Sequence, residues 1–170
     1  LLWKASPLEK AAFLKILIIK SRAKRIWPKS ISKTNVFLDT NVLIDLIDKR
    51  EPFYNDIAII ASLAENKKVK FAASSLSFVN AVYVISRNIE EKIVLEALKK
   101  FRIICEVSTI DEIVIDKSLI SNFNDFEDSV QYFSAVHHQS EVILTRNKKD
   151  FKNSEIPVMT PTEFLISIKK

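Results

Sequence analysis

The sequence predicts an α/β protein, a three-layer α/β/α sandwich built around a central parallel sheet. Three observations carry that prediction. Short apolar tracts (Val36 to Leu38, Val69 to Ala73, Ile103 to Val107, Val142 to Leu144) run uninterrupted instead of alternating with polar residues, as strands covered on both faces do. Each tract is separated from the next by one or two segments of helical periodicity, the order that builds parallel crossover units. The 170 residues are 48% apolar, enough for a sizeable core in one domain with an appendage.

Composition narrows the chemistry. Glycine is absent, where about 12 would be usual, so every glycine-dependent phosphate loop and dinucleotide fingerprint is excluded. The single cysteine, Cys105, excludes an internal disulfide and a multi-cysteine metal site. Its apolar neighbours read as a buried strand, and a reducing, cytoplasmic setting fits. Charges interrupt every apolar stretch well before the roughly 18 residues of a membrane span. The net charge of +5 is uneven: residues 1–34 carry nine Lys/Arg against one acid, while the rest carries 17 basic against 20 acidic residues.

Residues 1–34 therefore read as a basic extension, separate from a domain over 35–170. Leu8 to Ile19 has helical character, and the basic run after it ends at Pro28. Such a segment could touch RNA or an anionic surface; the plainer reading is a loosely held extension with no role of its own.

Within the domain, Val36 to Leu38 is the first strand and Asn41 to Asp48 the helix after it, with Val42, Leu43, Leu46 and Ile47 inward. Glu51-Pro52 breaks that helix, and Phe53 to Glu65 forms a second, ending at Asn66 as a left-handed cap in place of glycine. Val69 to Ala73 is the second strand. Ser74 or Ser75 caps a helix to Arg87, and Ile89 to Phe101 supplies another. Ile103 to Val107 is the third strand, followed by a helix from Glu112 to Asn122 capped by Asp111. Asn124-Asp125 opens a longer helix through Gln139. Val142 to Leu144, a short strand at Pro157 to Met159 and a helix from Thr162 to Lys169 complete the pattern.

Acidic and amide residues fall where strands end or helices begin. Asp39 ends the first strand and is followed by Thr40 and Asn41. Asn80 lies one to two turns into the helix after the second strand. Asp125, Glu127 and Asp128 open the long helix. Thr145, Arg146, Asn147 and Asp150 follow the fourth strand. In a parallel sheet these positions share the edge where ligands bind. Converging carboxylates repel unless a cation compensates them, and Mg²⁺ or Mn²⁺, hard ions that favour oxygen ligands, suit such a cluster. Each residue also has a plainer reading. Asp125 and Asp128 have the spacing of an N-cap and its N3 residue. Asn147 and Asp150 could be turn residues. Asp45, Asp48 and Asp56 are expected on solvated faces, and the adjacent His137 and His138 point to different faces of one helix.

The stretches NVFLDTNVLIDLI, ASSLSFVNAVYVISR, FNDFEDSVQYFSAVHHQSEVILTRNKKDF and IPVMTPTEFL together resemble the PIN domain family, in its compact VapC-like type, the toxin half of VapBC-like toxin–antitoxin pairs. The resemblance runs from about Asn35 to Lys169. It implies a Mg²⁺- or Mn²⁺-dependent ribonuclease with Asp39, Asp128 and Asp150 as catalytic carboxylates and Asp39, Asp128, Asn80 and Asn147 around the metal. Thr40, Asn41, Asp125 and Thr145 would support that site, and Arg146, Lys148 and Lys149 would hold RNA. A small antitoxin, and a homodimer, are the partners it implies.

Asn80 stands where many members have glutamate, and Asn147 where many have aspartate. An amide offers a carbonyl oxygen but no negative charge, and it is no general base near neutral pH. Asp150, Asp125 and Glu127 are the available replacements. The competing expectation is a catalytically weak PIN-fold protein that acts by binding RNA or an antitoxin. A haloacid-dehalogenase-like phosphatase would need an aspartate at position 41, which is Asn.

Overall fold

The computed structural model describes residues 18, 19, 21 and 33–168. The expected helix at 8–19 and the basic run after it lie outside these residues, apart from the helical Ile18, Ile19 and Ser21; Ile19 is buried in the main core. Five strands, β1 (Thr34–Leu38), β2 (Val69–Ser74), β3 (Cys105–Ser108), β4 (Val142–Leu144) and β5 (Val158–Met159), make one parallel sheet in the order β3-β2-β1-β4-β5. The helices from residue 33 onward are α1 (Thr40–Ile47), α2 (Tyr54–Glu65), α3 (Ser75–Ile85), α4 (Glu91–Phe101), α5 (Glu112–Leu119), α6 (Phe126–His137) and α7 (Pro161–Ser167).

Alternation along the strands divides the interior in two. Val36, Leu38, Phe71, Ala73, Val142 and Leu144 enter the larger core, where they meet Val42, Leu43, Ile57, Ile60, Ala81, Val94 and Phe164 from α1 to α4 and α7. Phe37, Ala72 and Ile143 point the other way, onto Tyr132 and Ala135 of α6 and onto Phe151. Helix α5 packs alongside α6 on that side. The three-layer sandwich follows from strands apolar on both faces.

The strand order sets the place of the site. The chain steps from β1 to β2 to β3 in one direction, then returns across β1 to lay down β4 on the other side. A crevice opens beyond the carboxyl ends of β1 and β4, where the order reverses. Asp39 leaves β1 there, its amide donating to the Leu144 carbonyl at 3.0 Å.

Helix ends account for most of the differences from the sequence pattern. Asn66 is not left-handed (φ −87); Lys67 is (φ 56). The Lys67 amide donates to Ala64 O and the Lys68 amide to Leu63 O, the paired bonds of a Schellman stop. Gln139 (φ 55) repeats both bonds after α6, and Lys49 (φ 54) is left-handed after α1, where the Arg50 amide donates to Asp45 O. With no glycine in the chain, three side-chain-bearing residues among those described hold left-handed positions. Strand β3 begins at Cys105, two residues later than expected, because Arg102 to Ile104 turn out of α4 and Arg102 Nη1 donates to the Cys105 carbonyl. Helix α5 stops at Leu119, short of Asn122, leaving Ile120 exposed. Helix α7 starts earlier than expected: Thr160 and Glu163 form a capping box with Pro161 in the first turn.

Candidate active site

Asp39 is buried, 5% exposed, and is the N-cap of α1. Oδ1 accepts from the Thr40 amide at 2.6 Å; Oδ2 accepts from Asn41 Nδ2 at 2.5 Å and from the Thr145 hydroxyl at 2.6 Å. Thr145 Oγ1 in turn accepts from Asn41 Nδ2 and from the Asn147 amide, while Asn41 Oδ1 accepts from the Arg146 amide. Residues 39–41 and 145–147 are thus laced across the switch point, and the Asp39 carboxylate is fixed in direction.

A cleft of about 310 Å³ opens beside it. Asp39, Asp125, Glu127, Asp128 and Asp150 line it, with Asn41 and Asn147, and Arg50 and Arg146 flank it. Asp125 is also the N-cap of α6, accepting from the Glu127 and Asp128 amides, so its structural role is plain. Burial pushes the Asp39 carboxyl up to about 6, against three hydrogen bonds that pull it down. Asp128 is likewise raised to about 6, first by burial and then by the negative charges of Asp39, Asp125, Asp150 and Glu127. The cluster carries more negative charge than the protein around it compensates.

Asn80 and Asn147 do not stand alone. Asn80 Nδ2 donates to Glu127 Oε1 at 2.8 Å, and Asn147 Nδ2 donates to Asp150 Oδ2. Each amide holds a carboxylate that lines the cleft. Asn80 itself stays off the cleft wall, and Thr145 sits behind Asp39. Lys148 pairs with Glu163 at 2.7 Å, and neither Lys148 nor Lys149 lines the cleft. His137 and His138 lie at the other end of α6, beside Asp111 and Glu106.

Asp45 differs from the expectation of a solvated face: it is 1% exposed. Arg146 covers it, with Nε 3.1 Å from Oδ2, and desolvation raises its carboxyl while Arg146 and Arg50 oppose the shift. Oδ1 has no hydrogen-bond partner among the described residues.

Two features escaped the sequence pattern. Arg50 reaches the cleft from the Schellman turn after α1, and no spacing ties it to Asp39. Gln131, 1% exposed, accepts from Ser74 and offers its amide to the Thr40 and Ser77 hydroxyls at 2.8 and 3.0 Å. It joins α6 to the start of α1 and α3 directly behind Asp39. A long amide on the buried face of α6, one turn after Asp128, was the available signal.

Among the described residues, no group of three or more His, Cys, Asp or Glu is drawn together tightly enough to hold an ion on its own. The donor set nonetheless fits a hard divalent cation: oxygen ligands, excess negative charge and an open cleft with room for the waters such an ion keeps.

A family model for the PIN domain matches residues 35–149. Ribonuclease VapC1 of Aquifex aeolicus is 29% identical over 140 residues, 79% of this chain and 95% of that protein. The fold is shared by VapBC-1 from nontypeable Haemophilus influenzae (TM-score 0.56, 16% identity, 76% of this chain and 99% of the other). It is shared too by VapBC2 from Rickettsia felis bound to a DNA fragment from their promoter (TM-score 0.55, 19% identity, 75% and 98%). The chain belongs to the PIN domain family.

Proposed function

We propose that the protein is a Mg²⁺- or Mn²⁺-dependent endoribonuclease and the toxin of a toxin–antitoxin pair. The observation that carries the reading is the buried Asp39 carboxylate, aimed by three hydrogen bonds into a cleft with Asp128, Glu127 and Asp150. The ribonuclease relative and the VapBC likenesses point the same way. Asp39 and Asp128 would hold the cation, with Glu127 and Asp150 supplying charge that Asn80 and Asn147 lack. A cation there supplies Lewis-acid activation of water and neutralises charge developing on the phosphodiester. Thr145, Asn41 and Thr40 keep Asp39 from turning away. Arg50 and Arg146, held through Nε by Asp48 and Asp45 respectively, would present their remaining guanidinium N–H groups to RNA along the flank. Hydrolysis leaves a 5′ phosphate. Lys148 and Lys149 would act only at a distance, as solvated charges.

The competing reading of a weak binding protein drew on Asn80 and Asn147. Their hydrogen bonds to Glu127 and Asp150 favour the catalytic reading. The implied partners are a small antitoxin and a second copy of the chain. RNA as substrate and the unpaired Cys105 fit the cytoplasm, and among the described residues no helix is long and apolar enough to cross a membrane. Residues 1–34 would be a basic extension of the nuclease domain, tied to it where Ile19 enters the core and Thr34 begins β1. The test is cleavage of end-labelled RNA with Mn²⁺ or EDTA, using wild type and Asp39→Asn. Metal-dependent cutting lost in the variant is expected; equal cutting by both, or cutting in EDTA, refutes the site.

A further inference from the structure

The loop between α1 and α2 carries an aromatic ring that the cleft chemistry leaves unused. Phe53 is 42% exposed, where apolar burial would be the ordinary outcome for its type. The Arg146 guanidinium lies across it, 4.4 Å from the ring centroid. Arg146 is held on its other side by the buried Asp45, and its backbone amide by Asn41. The stacked pair is therefore anchored to the same lacing that fixes Asp39.

Arg146 also lines two clefts at once. One holds the carboxylates; the second, about 360 Å³, runs past Phe53, Asp56 and Thr162. The two share Arg146 as a common wall. A planar ring and a fixed guanidinium at the rim of an acidic cleft combine the two features that hold single-stranded nucleic acid without regard to sequence: a face on which a base stacks and a cation near the backbone. Asp56 and Thr162, the Thr162 hydroxyl donating to Asp56 Oδ2, stand at the edge of that space, and the acceptor capacity they keep faces where a base would present its own polar edge.

We propose that Phe53 and Arg146 form a stacking shelf for a base of single-stranded RNA flanking the linkage at Asp39, with the second cleft taking that nucleotide. This rests on the ribonuclease reading. Recognition then extends one nucleotide beyond the reacting phosphate, and the shelf accepts any base face while its edge groups set a preference.

The test uses the full chain in EDTA with a fluorescein-labelled, mixed-sequence 12-nucleotide RNA, read by anisotropy, together with KM and kcat in Mn²⁺. Phe53→Ala and Phe53→Leu are expected to weaken binding on the order of tenfold and to raise KM at nearly constant kcat, while Phe53→Trp restores wild-type affinity. The salt dependence stays unchanged in the Phe53 variants and shallows by about 0.7 in its logarithmic slope in Arg146→Ala. Melting temperatures within a degree or two of wild type show that the fold is intact, and Phe53→Leu, which keeps apolar cover, serves if Phe53→Ala unfolds. Wild-type affinity and cleavage positions in Phe53→Ala and Phe53→Leu overturn the shelf while leaving the nuclease standing; a shelf for a protein segment gives this same result. A wild-type chain that neither binds nor cuts RNA overturns the ribonuclease reading, and the shelf with it.

Discussion

Stripped of divalent cations, the protein is expected to gain stability as the pH falls from about 7 to about 5, the reverse of ordinary acid weakening. Asp39 titrates at 3.8 in an unfolded chain and at about 6 in the fold. Between those values the native state holds a proton that the unfolded chain has released, so protonation favours folding. Above about 6 the buried carboxylate is charged and the full penalty stands. The gap, at about 1.4 kcal/mol per pH unit, amounts to about 3 kcal/mol. Asp128 acts in the same direction, with less effect because it is more exposed. Glu106 and Glu163, lowered by Lys70 and Lys148, lose their contribution only at lower pH. Of the Asp39 gap about 1.3 kcal/mol falls between pH 7 and 5, and the rest below it. Urea unfolding in EDTA across this range should therefore move the midpoint by roughly 0.5–1 M. Asp39→Asn should flatten the dependence, since it also relieves the repulsion that raises Asp128. Saturating Mn²⁺ should invert it, because only the ionised cluster binds the cation. A metal-free protein whose stability is level or falling from pH 7 to 5, in wild type and variant alike, refutes the account of Asp39 as a buried, uncompensated acid.

Asn80→Ala and Asn147→Ala each release a carboxylate; metal affinity measured by calorimetry should fall roughly 10- to 100-fold with the fold retained, and unchanged affinity would deny the amides a part in the site. Gln131→Leu leaves the Thr40, Ser74 and Ser77 hydroxyls with only one another and the Ser77 amide as partners and should cost about 1–2 kcal/mol in urea unfolding, with no measurable loss showing that the amide adds nothing to that network. Lys67→Gly relieves a left-handed side chain and should stabilise the fold by about 0.5–1 kcal/mol, a gain visible as a higher melting temperature.

The fold was legible because the strand signal is local. Four apolar tracts separated by helical periodicity need no long-range knowledge, and the misplaced boundaries lie where the local signal is weakest, at Lys67, at Arg102 to Ile104 and after Leu119. Asp39 and Asp128 could be picked out by position in the same way. Asp45 could not, because its burial depends on Arg146, 101 residues further along, folding over it. Arg50 and Phe53 were hidden for a similar reason: a turn and a ring acquire meaning only when the loop after β4 arrives beside them. Gln131 carried a weak signal, an amide on the buried face of its helix, whose partners lie on α1, on α3 and at the end of β2.

The pairing of Asn80 with Glu127 and of Asn147 with Asp150 bears on how relatives of this protein should be compared. Set against the family pattern the sequence resembles, the chain has amides at two positions where acids are common and would read as a decayed enzyme. In the fold, each amide donates to a carboxylate that lines the cleft, Glu127 or Asp150, so both positions still govern where negative charge stands there. Substitutions at such sites are better counted per volume of cleft than per alignment column, and a chain with amides in both columns is not, on that ground, inert.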